Sequence, residues 1–315
     1  MRRLVWAALL FLAGCTSSPP PPSAASSHPL TERIWLVAEQ RFVTPDELAR
    51  RMAKARFVLL GEAHDNPRHH EIEAWAVTAL ATTNRRPALV AEMIAADQAP
   101  GLELFFKEPR RSADGLDLFL KWNESGWPAW SLYQPVFEAA ARFGWPIRAG
   151  NLDRTRLPAM HRDGWAALPS EERQRLALPE ALDDADMQRL APAIIAGHCG
   201  HLPERLLSPF VEIQYARDAA LARALADGAA DADGAVLIAG SEHVRLTSAA
   251  PAQLTRLGIP GAVFSLAMAE VKPGQDDPQA YAADFDSPTL PFTAVWFTAG
   301  APRGDPCAAL KGKFK

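Results

Sequence analysis

Imidazole and carboxylate side chains recur at four places in the chain, each next to a short apolar run. Glu62 and His64 stand two residues apart, so in an extended turn their side chains point the same way. Neutral imidazole with carboxylate suits a borderline divalent metal, with His64 and His243 as ligands. The same residues suit general-base chemistry, in which a carboxylate orients a histidine toward water. The polar residues that follow the four runs are Glu62 and His64, then Glu92, then Asn151 and Asp153, then Glu242, His243 and Arg245.

Strands that alternate with helices must position these side chains. Continuous apolar runs predict strands buried on both faces, and the helical segments between them imply right-handed crossovers. The predicted fold class is therefore α/β, with a mostly parallel sheet flanked by helices and an inserted helical lobe over about 154–231. Ligands bind at the carboxyl ends of the strands in such sheets, so the four polar segments should share one rim. The predicted strands are 57–60, 88–91, 146–149, 235–239 and 262–266, with a short hairpin over 34–43 and one more strand-like run at 292–297.

Composition restricts the class of protein further. The chain has 315 residues, of which 48% are hydrophobic, and a formal net charge of −4. This apolar content with so little net charge excludes intrinsic disorder for most of the chain. The charge gives no reason to expect a nucleic-acid partner. Three cysteines are too few for a disulfide framework.

The first 29 residues are typical of a lipoprotein export signal and tether. Two arginines precede an apolar run of about nine residues, which is too short to cross a bilayer as a helix of ~20 residues. The run ends in Leu-Ala-Gly-Cys15, which resembles a bacterial lipobox. We expect residues 1–14 to be removed and Cys15 to carry lipid; an ordinary secretory signal is the alternative. Residues 15–29 are rich in Pro and Ser and predict a tether, and the absence of Asp after Cys15 favours the outer membrane, facing the periplasm.

A second cluster lies inside the predicted helical lobe. His198 and His201 are three residues apart, a spacing that a metal could bridge, although the motif is weak. Cys199 between them is interpreted as a small buried residue, or alternatively as a nucleophile beside a histidine. The helix that follows places Gln214, Arg217, Asp218 and Leu221 on one face, which we expect to lean on the rim.

Aromatic residues crowd the segment 122–133. Their density suits a flat apolar wall for a planar ligand such as haem, but such residues also commonly pack a lobe onto a sheet. The residues are Trp122, Trp127, Trp130 and Tyr133. His70, near the start of the helix after His64, is predicted to lie on the helix surface.

Together these motifs resemble the ChaN family of haem-binding uptake lipoproteins, within a superfamily that includes the Tiki/TraB proteins and the erythromycin esterases. The likeness runs from about Arg33 to Leu266. Ser241-Glu242 departs from the family pattern by adding a carboxylate before His243, and Ala219–Ala222 replaces the family's more usual Met-Ala ending. The motifs that carry the likeness are Leu60–Asn66 with His70, Glu92-Met93, Trp127–Tyr133, Ala149–Asn151, His198–Gly200 with Leu202-Pro203, Gln214 with Arg217-Asp218, Ala239-Gly240 with His243–Arg245, and Gly258–Pro260.

The resemblance implies a ChaN-like domain over 30–270, followed by a C-terminal extension over 271–315. It also implies a lipid-anchored protein of the cell envelope that binds haem or iron for uptake, with haem as the cofactor. A homodimer that buries haem between its protomers is one arrangement that the resemblance allows. The alternative is a metal-dependent or His/Glu-based hydrolase that uses Glu62, His64, Glu92 and His243. The donors available to haem iron are His64, His198, His243, Tyr133 and Tyr215, with Glu62, Glu92, Asn151 and Arg245 as further ligand-binding candidates.

Overall fold

The centre of the molecule is one eight-stranded sheet. The computed structural model describes residues 27–305 and 307–308. The strands lie in the order β2-β1-β8-β7-β3-β6-β4-β5, and β3 to β8 pair in parallel while β1 runs antiparallel to both of its neighbours. The strand bounds are β1 Ile34–Leu36, β2 Arg41–Val43, β3 Phe57–Glu62, β4 Ala88–Ala95, β5 Ile147–Asn151, β6 Ala235–Gly240, β7 Val263–Glu270 and β8 Ala294–Thr298. The predicted α/β class with a mostly parallel sheet is confirmed.

Helices cover both faces of this sheet. Each of the first two begins as its sequence predicts, with a side-chain cap from Thr44 or Asn66 and a proline at the first helical position. One apolar core lies between the sheet and α1, α2, α3 and α5, and a second lies under α9, α10 and residues 278–285. The helix bounds are α1 Pro45–Met52, α2 Pro67–Ala81, α3 Ala99–Phe105, α4 Leu116–Phe119, α5 Trp130–Phe143, α6 Leu157–Asp163, α7 Ser170–Arg175, α8 Asp184–Gly197, α9 Glu204–Ala230 and α10 Ala250–Arg256.

The segment between β5 and β6 is helical throughout its regular structure, as predicted. It holds α6 to α9 together with short 3₁₀ turns, and its buried apolar residues form a third core. The long helix α9 belongs to both regions. Its first half packs within the lobe around Val211 and Tyr215, and its second half packs on the sheet through Leu221 and Leu225. Helix α9 therefore connects the lobe rigidly to the strands.

The C-terminal residues contribute an interior strand. The run predicted at 292–297 forms β8, which pairs in parallel with β7 and antiparallel with β1. Beyond β8, Cys307 forms a disulfide with Cys199, and their Cα atoms are 5.8 Å apart. Both interpretations of Cys199, as a small buried residue and as a nucleophile, are therefore wrong. The two cysteines are 108 residues apart, so no local sequence pattern predicts their contact.

The predicted signal peptide, Cys15 and most of the tether lie outside the described residues. Among the residues that the structure describes, none of the helices is long and apolar enough to cross a membrane. The membrane anchor therefore stays a prediction from the sequence.

Candidate functional site

The rim at the carboxyl ends of the parallel strands brings the predicted site residues together. Glu62 is the last residue of β3 and pairs in register with Gly240, the last residue of β6. Glu92 lies inside β4 rather than after it, because that strand continues to Ala95. Gly61 permits the close approach of the 3₁₀ turn Ser241–Val244, since a Cβ there would lie 2.4 Å from a methyl of Val244.

Glu62 is the centre of a first buried group. Its Oε1 lies 2.8 Å from Nδ1 of His64 and accepts a bond of 3.3 Å from the Tyr133 hydroxyl. Its Oε2 lies 2.8 Å from Nδ1 of His70. The Glu62 side chain is fully buried, and burial alone would raise its pKa, but the neighbouring histidines lower it below its usual value. Glu62 is therefore a carboxylate that two imidazoles share.

His70 is buried in this group, so the prediction that it lies on the helix surface is wrong. It is 1% exposed, and its Nε2 lies 3.1 Å from the His64 carbonyl. Its Nδ1 also lies 3.3 Å from Oε2 of Glu73, another fully buried side chain. The helix that carries both residues, α2, is buried on most of its circumference between the sheet and α5. A helix in that position has little exposed surface on which to place polar residues.

His243 is the centre of a second buried group. Its Nδ1 lies 2.6 Å from Oδ1 of Asp218 and 3.3 Å from the Gln214 amide. Its Nε2 lies 3.3 Å from Oε1 of Glu92. The expectation that the Gln214–Asp218 face of its helix leans on the rim is confirmed. Both ring nitrogens of His243 face carboxylates, so the predicted pair His64 and His243 does not offer two open nitrogens to one metal.

Burial and charge act in opposite directions on this second group. Burial would lower the pKa of His243, but the charges of Glu92 and Asp218 more than offset it and raise that pKa to about 10. Burial raises the pKa of Asp218 to about 6, against the effect of His243. Glu92 has a lowered pKa despite burial, because His243, His64 and the Gly240 N–H favour its anion. At neutral pH the group is an imidazolium between two carboxylates.

His64 is the part of this rim that faces outward. Its side chain is 35% exposed, while those of Glu62, His70, Glu92 and His243 are 7% exposed or less. The ring packs edge-on against Trp127, with centroids 4.8 Å apart. A Cβ on Gly240 would lie 3.0 Å from its Nε2, so that glycine leaves room for the ring. Glu62 holds Nδ1, and Nε2 makes no hydrogen bond to any residue that the structure describes.

The remaining predicted residues have other surroundings. Asn151 donates to the Glu92 carbonyl and accepts from the next amide, so it fixes the end of β5. Tyr133 is fully buried, with its hydroxyl on Glu62 and on the His64 carbonyl. Arg245 contacts Glu242 and the Phe285 carbonyl.

His198 lies in the lobe, where it ends α8 and its Nδ1 is 2.7 Å from the Ile194 carbonyl. It borders a cavity of about 190 Å³ that also reaches Asp218 and Arg245. Tyr215 is 3% exposed and packs on Trp165 in the core of the lobe. Neither residue belongs to the groups around Glu62 and His243.

The crowded aromatic residues pack the helices rather than form an open wall. Trp122 is 2% exposed, donates to the Pro128 carbonyl and contacts Trp130 and Tyr133. Trp127, beside His64, is the partly exposed member nearest the rim. Most of these aromatic residues therefore pack the helices together, and Trp127 is the one that is placed to contact a ligand at the rim.

Sequence reasoning missed the role of Glu73. It stands three residues after His70, a helical spacing that places both side chains on one face. That spacing was a usable signal, but only together with the knowledge that this face of α2 is turned toward Glu62.

A family model described as haem-binding uptake, Tiki superfamily, ChaN matches residues 48–254. The chain belongs to this ChaN family. The match spans α1 to α10 and so contains every rim residue described above. No curated protein matches the chain.

Two solved structures are similar to the chain. The chain is similar to ChaN of Campylobacter jejuni, a structure described as showing cofacial haem binding, with a TM-score of 0.62 and 20% identity over 85% of this chain and 97% of that one. It is also similar to an erythromycin esterase mutant, EreC in its open conformation, with a TM-score of 0.48 and 14% identity over 87% of this chain and 99% of that one. At these identities the likeness to the Campylobacter protein shows the fold alone.

Proposed function

We propose that this ChaN family member is a lipid-anchored envelope protein that binds haem during uptake, with His64 as the axial ligand. The observation that carries the proposal is the geometry of His64. Haem iron takes an imidazole nitrogen whose other nitrogen is held by a hydrogen bond. His64 has its Nδ1 on Glu62 and its Nε2 open, on a side chain that is 35% exposed.

Burial separates His64 from most of the other donors. Tyr133, Tyr215 and His243 are 5% exposed or less, so a porphyrin could reach them only after the surrounding core moved. His198 is partly exposed but lies in the lobe, away from the Glu62 group. Trp127 beside His64 supplies the aromatic edge on which a porphyrin can pack.

The envelope location rests on two independent features. The lipobox around Cys15 is a sequence motif for lipid attachment. The Cys199–Cys307 disulfide is typical of proteins that mature in an oxidising compartment. Both features support a protein anchored outside the cytoplasm, where haem capture precedes transport.

A His/Glu-based hydrolase is the second candidate, favoured by the same dyad. A carboxylate that orients an imidazole with a free nitrogen is the arrangement of a general base. Glu62 and His64 have it, with Glu92 and His243 alongside. The bond to Glu62 and the charge of Glu92 outweigh burial and raise the pKa of His64, which reduces the fraction of free imidazole available to either candidate.

Haemin titration of the full chain tests the first candidate. We expect a saturable Soret shift in the wild type, loss of that shift in His64→Ala, and no change in His201→Ala, which removes an exposed histidine outside the rim. Sedimentation velocity with and without haemin tests whether the chain forms a homodimer that buries haem between its protomers. A Soret shift that is equal in wild type and His64→Ala would contradict His64 as the ligand. No saturable shift in the wild type would contradict haem binding itself.

A further inference from the structure

Three buried side chains beneath His64 form a group of which the proposed haem site uses only one oxygen, Oε1 of Glu62. Glu62, His70 and Glu73 each direct one ligand-type atom into a common space, and those atoms lie within 4.8 Å of one another. All three residues are 3% exposed or less. They come from the end of β3 and the first turns of α2, two elements fixed by core packing on both sides. The group is therefore buried in the core and held by two packed elements.

The hydrogen bonds of His70 determine which of its nitrogens is open. The His64 carbonyl, 3.1 Å away, can only accept, so Nε2 carries the hydrogen. Nδ1 then directs its lone pair between two carboxylate oxygens, at 2.8 Å from Glu62 and 3.3 Å from Glu73. A lone pair facing two anions is repulsive unless a positive charge lies between them. Burial and the charge of Glu62 raise the pKa of Glu73 to about 8. This position can therefore be taken by a proton, on His70 or on Glu73, or by a metal ion.

The carboxylates are also incompletely bonded. His64 and Tyr133 both bind Oε1 of Glu62. Among the described residues, its Oε2 meets Nδ1 of His70 alone, and Oε1 of Glu73 is buried without a hydrogen bond. Buried carboxylate oxygens that lack donors are costly. An ion that took these oxygens as ligands would remove that cost.

We propose that Glu62, His70 and Glu73 bind a divalent transition-metal ion of the Zn²⁺, Mn²⁺ and Fe²⁺ class. Adjacent ligand atoms at 2.0–2.2 Å from an ion lie roughly 2.8–3.6 Å apart in octahedral or tetrahedral geometry, and the separations of 2.8 and 3.3 Å from Nδ1 fall within this range. One imidazole with two carboxylates suits these ions better than Ca²⁺, which takes only oxygen, or Cu⁺, which prefers sulfur.

The surrounding residues supply the support that metal ligands usually have. The ligating ring donates its other N–H to a backbone carbonyl, and the ligating carboxylate of Glu62 is itself hydrogen-bonded through its second oxygen. These residues differ from the predicted pair His64 and His243. The site would fix Glu62, and through it the orientation of His64.

Metal content and binding of the full chain test the proposal in the absence of haemin. Protein stripped with a chelator is titrated with Zn²⁺ and, separately, Mn²⁺, with stoichiometry measured by elemental analysis after equilibrium dialysis. Glu73→Gln removes one ligand charge at constant shape. Glu71→Gln is the matched control, because it lies on the same helix, more exposed, and pairs with Arg68 instead. Circular dichroism confirms that each variant is folded.

We expect one equivalent of one of these metals in the wild type and in Glu71→Gln, and at least a tenfold weaker affinity in Glu73→Gln. X-ray absorption of the bound metal should show one imidazole among oxygen ligands. If the stripped wild type takes up neither metal, a proton on His70 or Glu73 takes the position and the proposal is overturned, whatever the variants do. Equal affinity in wild type and a folded Glu73→Gln would overturn it as well. Neither result depends on haem, so failure of this site is distinct from failure of haem binding.

Discussion

Loss of the Cys199–Cys307 disulfide should destabilise the whole fold. The bond closes a loop of 108 residues that contains all of α9, β6, α10, β7 and β8. In the chain-entropy model, a loop of this length raises the free energy of unfolding by about 4.7 kcal/mol, and native disulfides usually contribute about 2–5 kcal/mol. For a chain of this size, a loss of about 4.7 kcal/mol lowers Tm by about 7 °C. Because the loop includes three strands of the central sheet, the effect should be global rather than confined to the tail.

Urea and thermal unfolding of the double variant Cys199→Ser, Cys307→Ser measure this effect. The wild type with reductant should approach the double variant, and Cys15→Ser should behave like the oxidised wild type because it leaves the bond intact. A thiol assay establishes the redox state of each sample. A change below about 1 kcal/mol between oxidised wild type and double variant would refute the loop-closure reasoning, and would mean that the tail detaches without loosening the sheet.

Three further predictions concern the rim. The raised pKa of His243, about 10, stabilises the fold fully below pH 6.5, and this stabilisation should be lost as pH rises toward 10; unfolding measured from pH 6 to 10 checks the sign. Asp218→Asn leaves a buried imidazolium with one anion fewer, so the free energy of unfolding should fall by about 3–5 kcal/mol and NMR should show a lower His243 pKa. Gly240→Ala places a methyl 3.0 Å from Nε2 of His64 and should weaken haemin binding in a folded protein, whereas Gly197→Ala, which contacts nothing, should not.

The strands and the rim could be predicted from sequence because both depend on local patterns. Continuous apolar runs identified the parallel strands, and the rule that carboxyl ends share an edge placed Glu62, Glu92 and His243 together. The structure confirms these contacts through the pairing of Glu62 with Gly240 and the bond from Gly240 to Glu92.

The partners of those residues could not be predicted in the same way. The helix face that carries Asp218 was expected at the rim, but its contact with His243, 25 residues later, was not, and Cys307 reaches Cys199 from 108 residues away. Such contacts depend on how the lobe and the tail pack, which leaves no periodic signal in the chain. The surface position predicted for His70 failed for a related reason, since burial of α2 comes from α5 and not from its own pattern.

The metal and haem proposals are linked through Glu62, and that link gives a last prediction. One oxygen of Glu62 would bind the ion while the other holds Nδ1 of His64. An ion that fixes this carboxylate reduces the motion of the imidazole, and a preorganised ligand binds more tightly because less freedom is lost on binding. Zinc-loaded protein should therefore bind haemin with higher affinity than stripped protein, and the gain should disappear in Glu73→Gln while the Soret shift itself remains. Equal haemin affinity with and without bound zinc would show that Glu62 orients His64 without help from an ion.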